Sequence, residues 1–180
     1  AYQYSIGNPL REAEMLHNIG HLLLEAGYVT LAERAFTSVL RRPLPARIVL
    51  PALGSLASAA AHRGDTARVR WVYSELERLS LAPIAPPYDL ANALLATASA
   101  LAVVRQIPDA ERALETAVRI AESRGYHEII VKADDVRRAR GSKLPERQQP
   151  TDGALRLTDY IETEEAEDLP DHVAVVGTPC

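Results

Sequence analysis

The sequence predicts an all-α chain of stacked helical hairpins, and three observations carry that expectation. Apolar side chains recur at spacings of three and four along residues 10 to 140, the rhythm that keeps them on one face of a helix. Glycines punctuate the runs: Gly27 and Gly64 each stop one apolar run, and after a short cap a second begins. The core material is Ala, Leu and Val, since 47% of the chain is apolar but only 5% aromatic. Small side chains of this kind favour closely packed helices over a sheet sandwich.

The first helix opens at Pro9-Leu10-Arg11 and runs to about residue 26, with Ala13, Leu16, Ile19 and Leu23 on one face. Gly20 on that helix allows close approach of a neighbour. A second helix occupies about 29 to 41 and packs through Ala32, Ala35, Phe36, Val39 and Leu40. Arg41 and Arg42 fall at its C-terminal end, where the helix dipole favours cations, and Pro43 and Pro45 then break the chain. The third, about 46 to 62, buries Leu50, Leu53, Leu56, Ala57 and Ala60. Beyond Gly64, the fourth carries Val69, Val72, Tyr73, Leu76 and Leu79 inward. A proline-rich connector, Leu81 to Pro87, leads to a fifth helix at about 88 to 105. That helix is almost wholly Ala and Leu, so it is expected to be contacted on several sides. Pro108-Asp109 starts the sixth, proline being tolerated and aspartate favoured in a first turn, with Ala113, Ala117, Ile120 and Ala121 as its narrow face. Gly125 ends it. A seventh, about 127 to 140, turns Ile129, Ile130, Ala133 and Val136 inward and Lys132, Arg137, Arg138 and Arg140 outward.

From Gly141 the character changes. Residues 145 to 180 hold nine acids and two bases, a local charge of −7 against −4 for the whole chain, so residues 1 to 144 form a faintly basic body with an acidic tail. The tail's composition predicts disorder or an extended strip that orders against a surface. Its apolar islands, Leu155-Arg156-Leu157 and Val173-Ala174-Val175-Val176, are the parts expected to dock. A fold-back of this tail onto the groove or onto the basic seventh helix is one expectation, and a merely solubilising tail is the other. No uncharged apolar run is long enough to span a membrane, and no secretory signal is visible. Ala1 is read as the start of a piece of a longer chain or of a processed form. The single cysteine, Cys180, cannot form an intrachain disulfide, which makes a reducing, cytoplasmic compartment the expected setting.

The patterned small residues resemble the tetratricopeptide repeat family, whose repeat pairs two antiparallel helices over about 34 residues. Leu16, Ile19, Gly20 and Leu23 stand where that family packs its first helix, Gly27 at the turn, and Ala32, Phe36 and Val39 on its second. The next unit supplies Leu53, Leu56, Ala57, Ala60, Gly64, Val69, Tyr73 and Leu76, and in a third Ala113 and Ala117 fit while Pro108 is read in place of the turn glycine. The resemblance covers about residues 10 to 140. It implies a right-handed α-solenoid of three hairpins, closed by the seventh helix as a cap. It also implies a non-catalytic module that binds a protein or peptide in its concave groove, as part of a larger regulatory or assembly protein. Groove candidates carried over from the resemblance are Glu14, His17, His21, Leu24, Glu25, Ser58, His62, Ala102 and Arg105. The chaperone-tail clamp of that family needs bases where this chain has His17, Gly54 and Ala98, so an apolar helix or extended segment suits the groove better. The unit around Gly64 also resembles a pentatricopeptide repeat through Val69, Tyr73, Leu76, Leu81 and Pro83, which implies RNA binding as the alternative. A structural subunit of a large complex is the third reading, and it predicts exposed Leu and Val on the convex face.

His17 and His21 lie four apart and share a helix face, a spacing that can hold a metal, line the groove, or simply place two histidines on a surface. Asn18 stands where a zinc protease motif needs its glutamate. His127-Glu128 with Asp134-Asp135 forms a second polar cluster, read as a solvated face. No glycine-rich phosphate loop or Gly-x-Ser-x-Gly turn is present, so neither enzyme activity nor a cofactor is expected.

Overall fold

A computed structural model describes residues 8–139 and 170–176. Among them the chain forms α1 (Pro9–Glu25), α2 (Val29–Leu40), β1 (Leu44–Pro45), α3 (Ala46–Arg63), α4 (Thr66–Ser80), α5 (Pro87–Val103), α6 (Ile107–Arg124), α7 (His127–Ala139) and β2 (Val175–Val176). The described chain is therefore almost wholly helical, with one two-residue strand pair. Arg140, the tail before Pro170, with its island Leu155-Arg156-Leu157, and the four C-terminal residues lie outside the described residues.

Local chemistry accounts for the helix boundaries. The Asn8 side chain accepts hydrogen bonds from the Leu10 and Arg11 amides at 3.1 and 3.3 Å. Asp65 accepts from the Arg68 amide at 3.0 Å, so each of these helix starts satisfies otherwise unpaired donors. At the turns α1–α2, α3–α4 and α6–α7, Gly27, Gly64 and Gly125 take φ values of 83, 73 and 72°. A left-handed residue there closes the preceding helix.

The turn between α5 and α6 corrects the sequence reading. Pro108 does not stand in for the missing glycine; it lies in the first turn of α6. Arg105 takes the left-handed position instead, with φ 62°, and the Gln106 amide returns to the Leu101 carbonyl at 2.8 Å. An L-residue pays a backbone cost there that glycine avoids. Arg105→Gly is accordingly expected to stabilise the fold by about 1 kcal/mol, read as a rise of roughly 3 °C in a thermal melt. Gly64→Ala should move the melt the other way, since open space surrounds that position and the backbone alone sets the effect.

Each helix packs on the next, and α1 meets α3, α3 meets α5 and α5 meets α7. The contacts thus place α1, α3, α5 and α7 in one row. Both faces of α5 are engaged, which explains its unbroken Ala and Leu composition: Leu90, Ala91, Ala93, Leu94, Leu95, Ala98, Ala100 and Leu101 are all buried. Small residues set the spacing. A Cβ on Gly54 of α3 would sit 3.3 Å from both the Ala93 backbone and the Ala96 methyl of α5, so the two helices meet almost backbone to backbone. No helix among the described residues is long and apolar enough to cross a membrane.

The described part of the tail docks as an extended strip. Val175 and Val176 pair in parallel with Leu44 and Pro45, and the Val173 side chain enters the core. This contact involves α4 and the α2–α3 connection.

Candidate functional site

The row α1–α3–α5–α7 presents two adjoining depressions. One, of about 340 Å³, lies over α1, α3 and α5 and is lined by His21, Leu24, Pro51, Gly54, Ser55, Ser58, Asp89, Asn92, Ala93 and Ala96. The other, of about 380 Å³, lies over α5 and α7 and shares Asn92 and Ala96 with the first. Helical periodicity explains the lining, because positions 51, 55 and 58 share one face of α3 and positions 89, 92, 93 and 96 share one face of α5. Glycine, alanine and serine at those positions hollow the surface.

A polar cluster sits at the α1 end. Ser55 Oγ lies 3.0 Å from His21 Nε2 and 3.3 Å from His17 Nε2. One hydroxyl hydrogen serves only one of these nitrogens as donor, so the other imidazole must carry its proton on Nε2 and donate to Ser55. The two rings meet edge to face with centroids 4.6 Å apart. Beneath them the fully buried Phe36 ring of α2 supports both, at 5.6 Å from His17 and 5.5 Å from His21. Gly20 makes this possible, since a Cβ there would lie 2.5 Å from Phe36 Cε1. Burial, followed by repulsion from His21, lowers the His17 pKa to about 4, against a weaker opposing pull from the Pro51 backbone. At the far side of the depression, burial raises the Asp89 carboxyl above its usual range despite the nearby Arg47.

The sequence candidates distribute unevenly over this surface. His21, Leu24 and Ser58 line the first depression, and His17 joins it through Ser55. His62 is exposed and bonds the Ser58 carbonyl of its own helix at 2.8 Å. Glu14, Glu25, Ala102 and Arg105 line neither depression; Ala102 packs against the core at the end of α5, and Arg105 forms the turn. Ser55, which the sequence reading passed over, joins the two histidines. Its signal was present, since it lies one helical turn before Ser58 on the same face. In the second polar cluster Asp134 pairs with Arg137 and Asp135 with Arg138 at exposed positions, the geometry of a solvated face. Among the described residues, no three of His, Cys, Asp and Glu gather as a metal would require.

Compared with family models, curated proteins and solved structures, the chain matches none.

Proposed function

We propose that the chain is a right-handed solenoid of three tetratricopeptide-like hairpins with α7 as its cap, and that it binds an apolar protein segment along the row α1–α3–α5–α7. The observation that carries this reading is the pair of adjoining depressions that meet at Asn92 and Ala96. Together they offer a small-residued track across four helices, suited to a helix or an extended segment. The charged side chains lining it are Asp89, Lys132 and Asp135, with Asp135 paired to Arg138, so the track holds one lining base rather than the cluster that collects phosphates. That favours a protein ligand over RNA. A non-catalytic role is supported by the position of Ser55 in the middle of α3, where neighbouring backbone N–H groups are spent in the helix ladder and cannot form an oxyanion hole. The structural-subunit reading draws less support, since the most exposed large apolar side chains, Leu22, Leu81 and Val131, are scattered over separate elements.

The test is capture with the full chain at low and high salt, with and without nuclease, beside an Ala96→Asp variant. A protein retained in every condition by the parent chain, and bound at least about tenfold more weakly by Ala96→Asp, supports the groove. RNA recovered at low salt alone, with any protein lost after nuclease, transfers the reading to a pentatricopeptide-like function.

A further inference from the structure

A buried cluster of polar contacts lies away from the two depressions, where the described part of the tail meets α4. Its centre is Glu75, a carboxylate whose side chain retains 3% of its exposure. Oε2 accepts from the Val173 amide at 3.0 Å, and Oε1 accepts from His172 Nδ1 at 2.7 Å. Arg78, one turn on along α4, donates to Glu75 Oε2 at 2.8 Å, and the same nitrogen donates to the Val173 carbonyl at 2.8 Å. The two ends of one residue's main chain are therefore read together, N–H by a carboxylate and C=O by a guanidinium. Val173 itself is 2% exposed, and two residues later the strand pairing with Leu44 and Pro45 takes over.

We propose that this cleft between α4 and the α2–α3 connection is a peptide-binding site for an extended His-Val segment, and that residues 171–176 of the chain occupy it as a ligand in cis. The recognition is strand addition, with main-chain hydrogen bonds giving affinity and a side-chain socket giving selectivity. The division of Glu75's partners is what marks an exchangeable ligand. A buried carboxylate stripped of every partner would be strongly unfavourable. Here Arg78 comes from the receiving helix, so when the segment leaves, the Glu75–Arg78 pair remains and water takes the vacated lone pairs. Burial works to raise the Glu75 carboxyl, and hydrogen bonds from Arg78, His172 and the Val173 amide outweigh it and hold it below its usual range. The segment thus supplies hydrogen-bond donors that a buried carboxylate needs. Neither the groove nor its ligand enters this inference, so the two stand or fall separately.

The test uses a fluorescent peptide with the sequence of residues 169–177 and the full chain carrying Val173→Asp, which disarms the cis segment without altering the receiving residues. Saturable binding to this variant is expected by ~1 mM, the effective concentration against which a tethered segment competes. The parent chain, already occupied, should bind the peptide at least about tenfold more weakly. Adding Glu75→Leu to Val173→Asp should abolish uptake, as should a peptide with aspartate at the position of Val173. Circular dichroism of each variant reports whether the helices persist. A second measurement needs no disarmed variant: a protease site inserted within residues 145–165 of the otherwise unaltered chain is cut after folding, and the freed tail should dissociate on dilution and be replaced by labelled peptide. Equal uptake by the parent and Val173→Asp chains, uptake indifferent to Glu75→Leu, or a cut tail that never exchanges would each overturn the proposal and make the segment a permanent part of the fold.

Discussion

Replacing Gly20 by alanine is expected to cost about 2 kcal/mol, although alanine is the better helix former by about 1 kcal/mol. The reason is contact. Gly20 is buried in the middle of α1, and an added methyl would fall 2.5 Å from Phe36 Cε1 and 2.9 Å from Cδ1 and Cζ. These are ring atoms of a side chain with no exposure, so the ring must shift as a body into a packed core. Overpacking of this kind outweighs the propensity gain. Chemical denaturation gives the size, and a double-mutant cycle gives the cause. Phe36→Leu removes ring atoms, so in that background Gly20→Ala should become neutral or stabilising by up to about 1 kcal/mol. An unchanged cost in both backgrounds would mean that the glycine is needed for its backbone and not for its space.

The same substitution should reach the groove. Phe36 stands under both His17 and His21, and Gly20 falls on the same stretch of α1. A displaced ring would tilt the imidazoles that share Ser55, so Gly20→Ala should perturb the histidine ring resonances before it unfolds the protein. This couples the core of the first hairpin to the surface above it.

The helices were legible because their signals are local. Periodicity, proline and glycine fixed seven elements to within about two residues of their observed ends, as capping and turn chemistry would lead one to expect. Gly20 was legible too, as a small residue on a packing face, although which neighbour filled the space was not. The α5–α6 turn was misread because the usual marker, glycine, is missing; Arg105 adopts φ 62° under the demand of the helices it joins, a tertiary override of local preference. Of the groove candidates that the resemblance implied, His21, Leu24 and Ser58 line a common depression. Ala102 lies in the last turn of α5 and Arg105 in the turn beyond it, and the resemblance that supplied both did not say how far along the row the hollow extends. Long-range partners left the least trace. Glu75 reads as one more surface acid on α4, and only contact with residues about 97 positions later makes it a buried anchor.

His17 supplies the last expected result, a loss of stability between pH 6.5 and about 4. Its imidazole has an ordinary value of 6.5 and is lowered to about 4 in the fold, by burial first and by His21 second. The unfolded chain therefore takes up a proton at a pH where the folded chain still refuses one. Stability associated with the neutral ring is at its full value above pH 6.5, falls as pH drops through the window, and changes no further below about 4. Because the ring keeps some contact with solvent, about 2 kcal/mol is the expected size rather than the full shift. Urea unfolding at a series of pH values measures it, and His17→Gln should flatten the curve in that window by the same amount. Ring resonances followed by NMR should leave His17 neutral until pH approaches 4; a midpoint near 6.5 would show that burial does not control it. The consequence for the groove follows from the shared hydroxyl. A neutral His17 ring can meet the Ser55 hydroxyl as donor or acceptor, whereas a protonated one can only donate to it. Lowering the pH to near 4 should therefore rearrange the His17–Ser55 contact and change the shape of the depression that Ser55 lines.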